Sequence, residues 1–247
     1  MALPKLETPK HSCVLPTTNE TVYFRPFLVG EQKVLLIAQE SEDANEQIRE
    51  MMRLINICCD DVDVNSIPTV DLEYLFLQLR IKSVGETSDV ILNCDKCETG
   101  NPVSVELENT KLTESENKIS NIVKLTDIVS MELQYPSYSM MEDLDAENAE
   151  DTKSLFRVMT KCIVSVIDGD EVHTKDDFTT KELTSFLDSM SLTMFNDVQE
   201  FFNSAPKLSI DVNFECKECE TKNHKELCGL EIYDRKPLLR LEIYDFK

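Results

Sequence analysis

Glycine is scarce in this chain, at five residues in 247. That scarcity argues against glycine-rich phosphate-cradling loops and favours helical content. Histidine is scarcer still, at three, which leaves little room for His-dependent acid–base catalysis. No apolar run approaches the roughly 20 residues that span a bilayer. The opening Met1-Ala2-Leu3-Pro4-Lys5 lacks the apolar core of a secretory signal. No nucleophile elbow, phosphate loop or His-Glu-x-x-His is present. With 47 acidic residues, no two carboxylates single themselves out as a catalytic couple. A non-enzymatic protein is therefore expected.

Positive charge is also in short supply. The 25 basic residues leave a formal net charge of −22, which repels phosphate backbones and weighs against nucleic-acid binding. Arg235-Lys236 is the largest Lys/Arg cluster. The proportions of 41% hydrophobic and 29% charged residues describe a globular chain rather than a disordered one. At this length it can bury a sizeable core, as one domain or as two closely packed halves. The nine cysteines are an odd number without an export signal, which points to a reducing cytosol. Cys13, Cys58, Cys59 and Cys162 stand in apolar or irregular settings and are expected to be buried thiols or bystanders.

What the chain does have is a twelve-residue passage written twice. Val90-Ile91-Leu92-Asn93-Cys94-Asp95-Lys96-Cys97-Glu98-Thr99-Gly100-Asn101 is echoed by Val212-Asn213-Phe214-Glu215-Cys216-Lys217-Glu218-Cys219-Glu220-Thr221-Lys222-Asn223. Each copy is a β-like run ending in Cys-x-x-Cys and then Glu-Thr-x-Asn. One Cys-x-x-Cys turn supplies half of a tetrahedral zinc shell, so Cys94, Cys97, Cys216 and Cys219 together predict one closed, structural Zn2+ site. Two redox dithiols are the competing reading. A redox Cys-x-x-Cys usually opens a helix, however, and these sit at strand ends. Iron in place of zinc, or an unmetallated core pairing, completes the alternatives. His224 and Cys228 follow closely enough to substitute as ligands, whereas His11 and His173 have no ligand constellation and are expected at the surface.

The coarse structure is α+β: helices interleaved with short β-hairpin zinc knuckles, in two quasi-repeated halves sharing the four-cysteine site. Ile48, Met51, Met52 and Ile55 predict a helix over 43–58, and Pro68-Thr69 opens a second carrying Leu72, Leu75, Phe76 and Leu79. Gly85 ends it before the first knuckle, and Pro102–Leu107 alternates as the returning strand. In the second half, Leu155, Met159, Cys162, Ile163 and Val166 predict one long helical face reaching the Asp168-Gly169 turn. Thr179-Thr180-Lys181-Glu182 is a capping box for a helix with Leu183, Phe186, Leu187 and Met190. Phe195, Val198 and Phe202 follow, ended by Pro206, and Leu208–Phe214 alternates as a strand into the second knuckle. The acidic run 142–151, six acids in ten residues, reads as a solvated linker between a half at 1–141 and a half at 152–247. A docking strip for a basic partner is its sharper reading.

Several phrases carry a family resemblance. They are Val22-Tyr23-Phe24-Arg25-Pro26-Phe27-Leu28 with Gln32-Lys33-Val34-Leu35-Leu36, Leu79-Arg80, and Ser83-Val84-Gly85. The first Cys-x-x-Cys with its trailing Asn101, and Phe201-Phe202 with Pro206-Lys207-Leu208 before the second, complete the set. In this order, over most of residues 20–230, the chain resembles the baseplate hub proteins of T-even-type myophages, which include a hub subunit and a hub assembly catalyst. The resemblance implies a protein made in the host bacterial cytoplasm, binding other baseplate hub proteins as a subunit of the virion or as an assembly chaperone. The C-terminus departs from it: Leu230-Glu231-Ile232-Tyr233-Asp234 recurs as Leu241-Glu242-Ile243-Tyr244-Asp245. A terminal strand pair completing the second knuckle's sheet is expected there, with a partner-docking tail as the alternative. A zinc-ribbon nucleic-acid or transcription factor, and a thiol-disulfide oxidoreductase, remain the other functional classes.

Overall fold

The computed structural model describes residues 8–40, 44–113, 120–141 and 152–233. In chain order, β1 (His11–Val14), β2 (Thr21–Phe24), α1 (Val29–Glu40), α2 (Ala44–Cys58) and α3 (Thr69–Ser83) lead into β3 (Thr87–Asn93), β4 (Gly100–Glu106) and β5 (Lys111–Thr113). Then come β6 (Ile122–Lys124), β7 (Val129–Leu133), α4 (Tyr138–Met141), α5 (Thr152–Lys161), β8 (Ile163–Asp168), β9 (Glu171–Thr174), α6 (Thr180–Asp188) and α7 (Leu192–Asn203). The chain closes with β10 (Lys207–Glu215) and β11 (Lys222–Cys228). All strand pairs are antiparallel.

Two compact units result, and their boundary differs from a division at 142–151. The first unit takes the chain through Thr113 and resumes at Lys207; the second comprises most of what lies between. The physical reason is strand pairing. β10 accepts β11 on one side and β5 on the other, with Lys207 opposite Thr113 and Ser209 opposite Lys111. Both Cys-x-x-Cys hairpins therefore fall in the first unit. α3, which precedes the first hairpin, lies in that unit, whereas α7, which precedes the second, belongs to the other. The acidic run 142–151 lies outside the described residues.

In the first unit α3 is the central element. Val70, Asp71, Leu72, Leu75, Leu77, Leu79 and Ile81 are all buried, more than one amphipathic stripe would give. Leu77 and Ile81 pack with Val90 and Val105 of the first hairpin and Ile210 and Val212 of the second. One apolar core thus underlies both hairpins. α2 buries Ile48, Met51, Leu54 and Ile55, as the period requires. Asp71, fully buried, accepts from Thr17 N at 2.9 Å, Thr17 Oγ1 at 2.5 Å and Thr18 N at 3.3 Å, tying the β1–β2 connection to α3. Arg25 grips Glu31 with two nitrogens at 2.7 and 3.0 Å. That contact holds the Glu31 carboxyl below its ordinary range, burial opposing and the Leu28 N–H assisting. Ser83 Oγ accepts from Phe27 N, and Arg80 donates to the carbonyls of Gly85 and Thr87 around the turn where Gly85 takes φ 132°. Arg25, Phe27, Arg80, Ser83 and Gly85, which take part in these contacts, stand in phrases singled out in the sequence.

The second unit is a four-stranded meander, β6-β7-β8-β9, with α4 to α7. The Thr179–Glu182 capping box forms in full, each side chain bonding the other's backbone N–H. Two expectations need correction. The helix over Leu155–Val166 stops at Lys161, and Ile163–Asp168 is strand β8. Four β-branched residues there (Ile163, Val164, Val166 and Ile167) favour the extended chain over the helical spacing. The first Leu-Glu-Ile-Tyr copy is not a strand either. Gly229, at φ 53°, turns the chain into a 3-10 helix over Gly229–Tyr233 that buries Leu230 and Ile232. The second copy lies outside the described residues.

Candidate metal centre

Each Cys-x-x-Cys occupies the six-residue tip of a hairpin. In the first, Asn93 pairs with Gly100 and the tip runs from Cys94 to Thr99. In the second, Glu215 pairs with Lys222 and the tip runs from Cys216 to Thr221. Both tips close with the same two backbone bonds. Cys94 N donates to Thr99 O at 3.0 Å and Glu98 N to Cys94 O at 2.9 Å; Cys216 N donates to Thr221 O and Glu220 N to Cys216 O, both at 2.9 Å. Glu98 and Glu220 both take left-handed backbone, at φ 59° and 56°.

The two tips face each other. The four sulfurs of Cys94, Cys97, Cys216 and Cys219 lie within 4.8 Å of one another. Across the interface Cys94 Sγ stands 3.6 Å from Cys219 Sγ, and Cys97 Sγ 3.5 Å from Cys216 Sγ. A tetrahedron with metal–sulfur bonds of about 2.3 Å has sulfur edges of about 3.8 Å, so the cluster has the size of a four-thiolate shell. All four cysteines are free of disulfides. Cys94 and Cys216 are buried, Cys219 is half-buried and Cys97 is exposed.

The electrostatics prepare the inner pair for a cation. Burial, the largest influence on Cys94, pushes its thiol up. The N–H groups of Lys96 and Cys97 outweigh it, with help from Cys219 and Asn223, and bring the thiol down to about 6. Cys216 is lowered by the Cys219 and Glu218 N–H groups against the opposing effect of burial. At Cys97 the Thr99 hydroxyl and N–H pull downward, but Cys219, burial and Cys216 leave it raised. A metal arriving here would displace whatever protons these thiols still carry, because the thiolate is the ligating form.

The residues that join the tips were visible only as repeated letters. Asn101 Oδ1 accepts from Lys217 N at 2.9 Å, and Asn223 Oδ1 accepts from Asp95 N at 2.9 Å. Each asparagine crosses to the opposite hairpin and meets the residue after its first cysteine. Lys225 also pairs with Asp95 across the interface. His224 bonds Asn213 Oδ1 on its own hairpin and approaches Asp211, away from the sulfurs. Cys228, opposite Ser209 at the far end of the ladder, is likewise not in the cluster. Cys13, Cys58, Cys59 and Cys162 have thiols pushed up to about 11, 12, 12 and 12, in each case chiefly by burial.

Fold and site define a class first: a mixed helix-and-sheet protein whose first unit clamps two cysteine hairpins into a centre able to hold a metal ion. Among the described residues no helix is long and apolar enough to cross a membrane. The sequence pattern of the T4 bacteriophage base plate protein family matches residues 8–232, and the chain belongs to that family. No curated protein and no solved structure matches it. The matched span contains both hairpins and the whole of the four-cysteine centre.

Proposed function

We propose that this chain is a baseplate hub protein that works by binding other phage hub proteins, as a structural subunit or as an assembly chaperone. One structural Zn2+, held by Cys94, Cys97, Cys216 and Cys219, fixes its first unit. The observation that carries this reading is the family match over residues 8–232. The four-sulfur centre supports a structural metal, because a shell filled by four protein ligands leaves no position for substrate or water. The convergence of the two dithiols favours a shared ion over two separate redox pairs. The protein acts in the host cytoplasm during assembly and ends in the tail baseplate; it performs no chemistry of its own.

Helix α1 supplies a surface for such binding. Val29, Val34, Leu36 and Ile37 are 83, 45, 53 and 58% exposed, while Ala38, one turn on from Val34, is buried. The exposed apolar side chains suit a partner's groove. The net charge of −22 favours a partner with a basic rim and discourages self-association. The acidic run 142–151 is a docking strip for a basic partner.

Co-expression with the hub proteins of the same phage tests this reading. The wild type should co-purify with a hub protein, and Leu36→Glu with Ile37→Glu should abolish the complex without lowering thermal stability. If wild type and variant behave alike, α1 is not the docking surface. If the wild type joins no hub protein at all, the hub role fails.

A further inference from the structure

The geometry points to Asn101 and Asn223 as a reciprocal pair of positioning residues that align the two cysteine hairpins and tune the two buried sulfurs of the centre for a metal. This rests on the metal reading above but concerns residues outside the ligand set.

The two asparagines share three contacts that are copies of one another, and Asn101 Nδ2 also reaches Leu92 O at 3.5 Å. Asn101 Nδ2 donates to Thr99 O of its own tip at 2.7 Å, and Asn223 Nδ2 to Thr221 O at 2.8 Å. That bond fixes the amide so that its oxygen faces the other hairpin. There it caps an N–H group of the opposite tip, Lys217 N or Asp95 N, at 2.9 Å in both cases. The same Nδ2 lies 3.7 Å from Cys216 Sγ in one case and 3.6 Å from Cys94 Sγ in the other. Asn101 and Asn223 are only 3% and 5% exposed, so water does not compete well for these bonds. Reciprocal contacts of this kind are what a local twofold requires, each hairpin giving the other what it receives.

Two consequences follow. The cross-hairpin bonds join the tips through protein groups other than the metal ligands. The N–H groups also aim at the two buried sulfurs, where they disperse thiolate charge and orient lone pairs. Groups in this position outside a metal's own ligands change affinity by about 10–100-fold when removed. The symmetry adds a sharper expectation: Asn101→Ala and Asn223→Ala should have the same effect, although the residues are far apart in sequence.

The test uses the full chain loaded with zinc and challenged with a chromophoric chelator, and the same proteins loaded with cobalt(II) for absorption spectroscopy. Wild type should hold one zinc per chain. Asn101→Ala and Asn223→Ala should each hold one zinc but release it about 10–100-fold more readily. Their sulfur-to-cobalt charge-transfer bands should move to longer wavelength, because sulfur without its N–H partner is easier to oxidise. Both alanine variants should keep the wild-type far-UV circular dichroism, so that a shifted cobalt band is read on a folded protein. This separates sulfur tuning from general damage. Unchanged zinc release and unchanged cobalt bands in both alanine variants would overturn the proposal. A wild type that binds neither zinc nor cobalt would instead sink the metal reading on which it rests.

Discussion

Removing the metal should melt the first unit early, and the size of the effect follows from where the two hairpins lie in the chain. The centre joins Cys97 to Cys216, closing a loop of about 120 residues, and a cross-link over that length removes about 5 kcal/mol of unfolded-state entropy. Ligand linkage gives a similar figure: zinc free at about a thousand times its dissociation constant stabilises the folded state by about 4 kcal/mol. For a unit of this size the loss corresponds to about 10–20 °C in melting temperature. Scanning calorimetry with and without a chelator measures it. The transition of the unit carrying both hairpins should fall by that amount and return when zinc is restored. The transition of the meander unit, which contains none of the four cysteines, should stay where it is. Cys216→Ser should lower the same transition even in zinc-containing buffer. A first unit that melts unchanged after chelation would refute the reasoning, because the asparagine bonds and the shared core would then hold the hairpins without help.

Three further outcomes can be checked. Asp71→Ala removes the buried acceptor of three hydrogen bonds and should cost about 3–5 kcal/mol in urea denaturation, since bonds to a carboxylate contribute about 1.5–3 kcal/mol each and are not fully additive. Glu31 titrates below its ordinary value of 4.5 in the fold because Arg25 holds its charged form. Its contribution is present above pH 4.5 and disappears as the pH falls through its lowered folded value, so the stability gap between wild type and Glu31→Gln should close in acid. A gap that is constant with pH would contradict the ion pair. Mild alkylation of zinc-loaded protein should mark the exposed Cys228 first and leave Cys13, Cys58, Cys59 and Cys162 unreacted, their thiols being raised to about 11–12 by burial. Chelation should then open four more cysteines.

The hairpins were legible in the sequence because two local signals coincide there. Strands alternate with period two, and Cys-x-x-Cys needs a tight turn, so both copies declared their shape without reference to the rest of the chain. The unit boundary was not legible. It depends on Lys207 pairing with Thr113, a contact between distant segments with no local signature. The acidic run looked like a seam, yet both hairpins lie in one unit. Met159, Cys162, Ile163 and Val166 fit a helical period by coincidence, and the run of β-branched residues from Ile163 decided the matter. The Leu-Glu-Ile-Tyr phrase alternates like a strand, but the left-handed turn at Gly229 commits it to a 3-10 helix. Asn101 and Asn223 were part of the repeated phrase from the outset. Their role could not be read from one hairpin, because each asparagine works on the other.

Native mass spectrometry of the full chain tests the central claim most directly. The account predicts a folded species carrying one zinc per chain, lost together with its resistance to cysteine alkylation when a chelator is added. A folded, metal-free chain whose Cys94, Cys97, Cys216 and Cys219 react at once, and which takes up no zinc when offered it, would contradict the account.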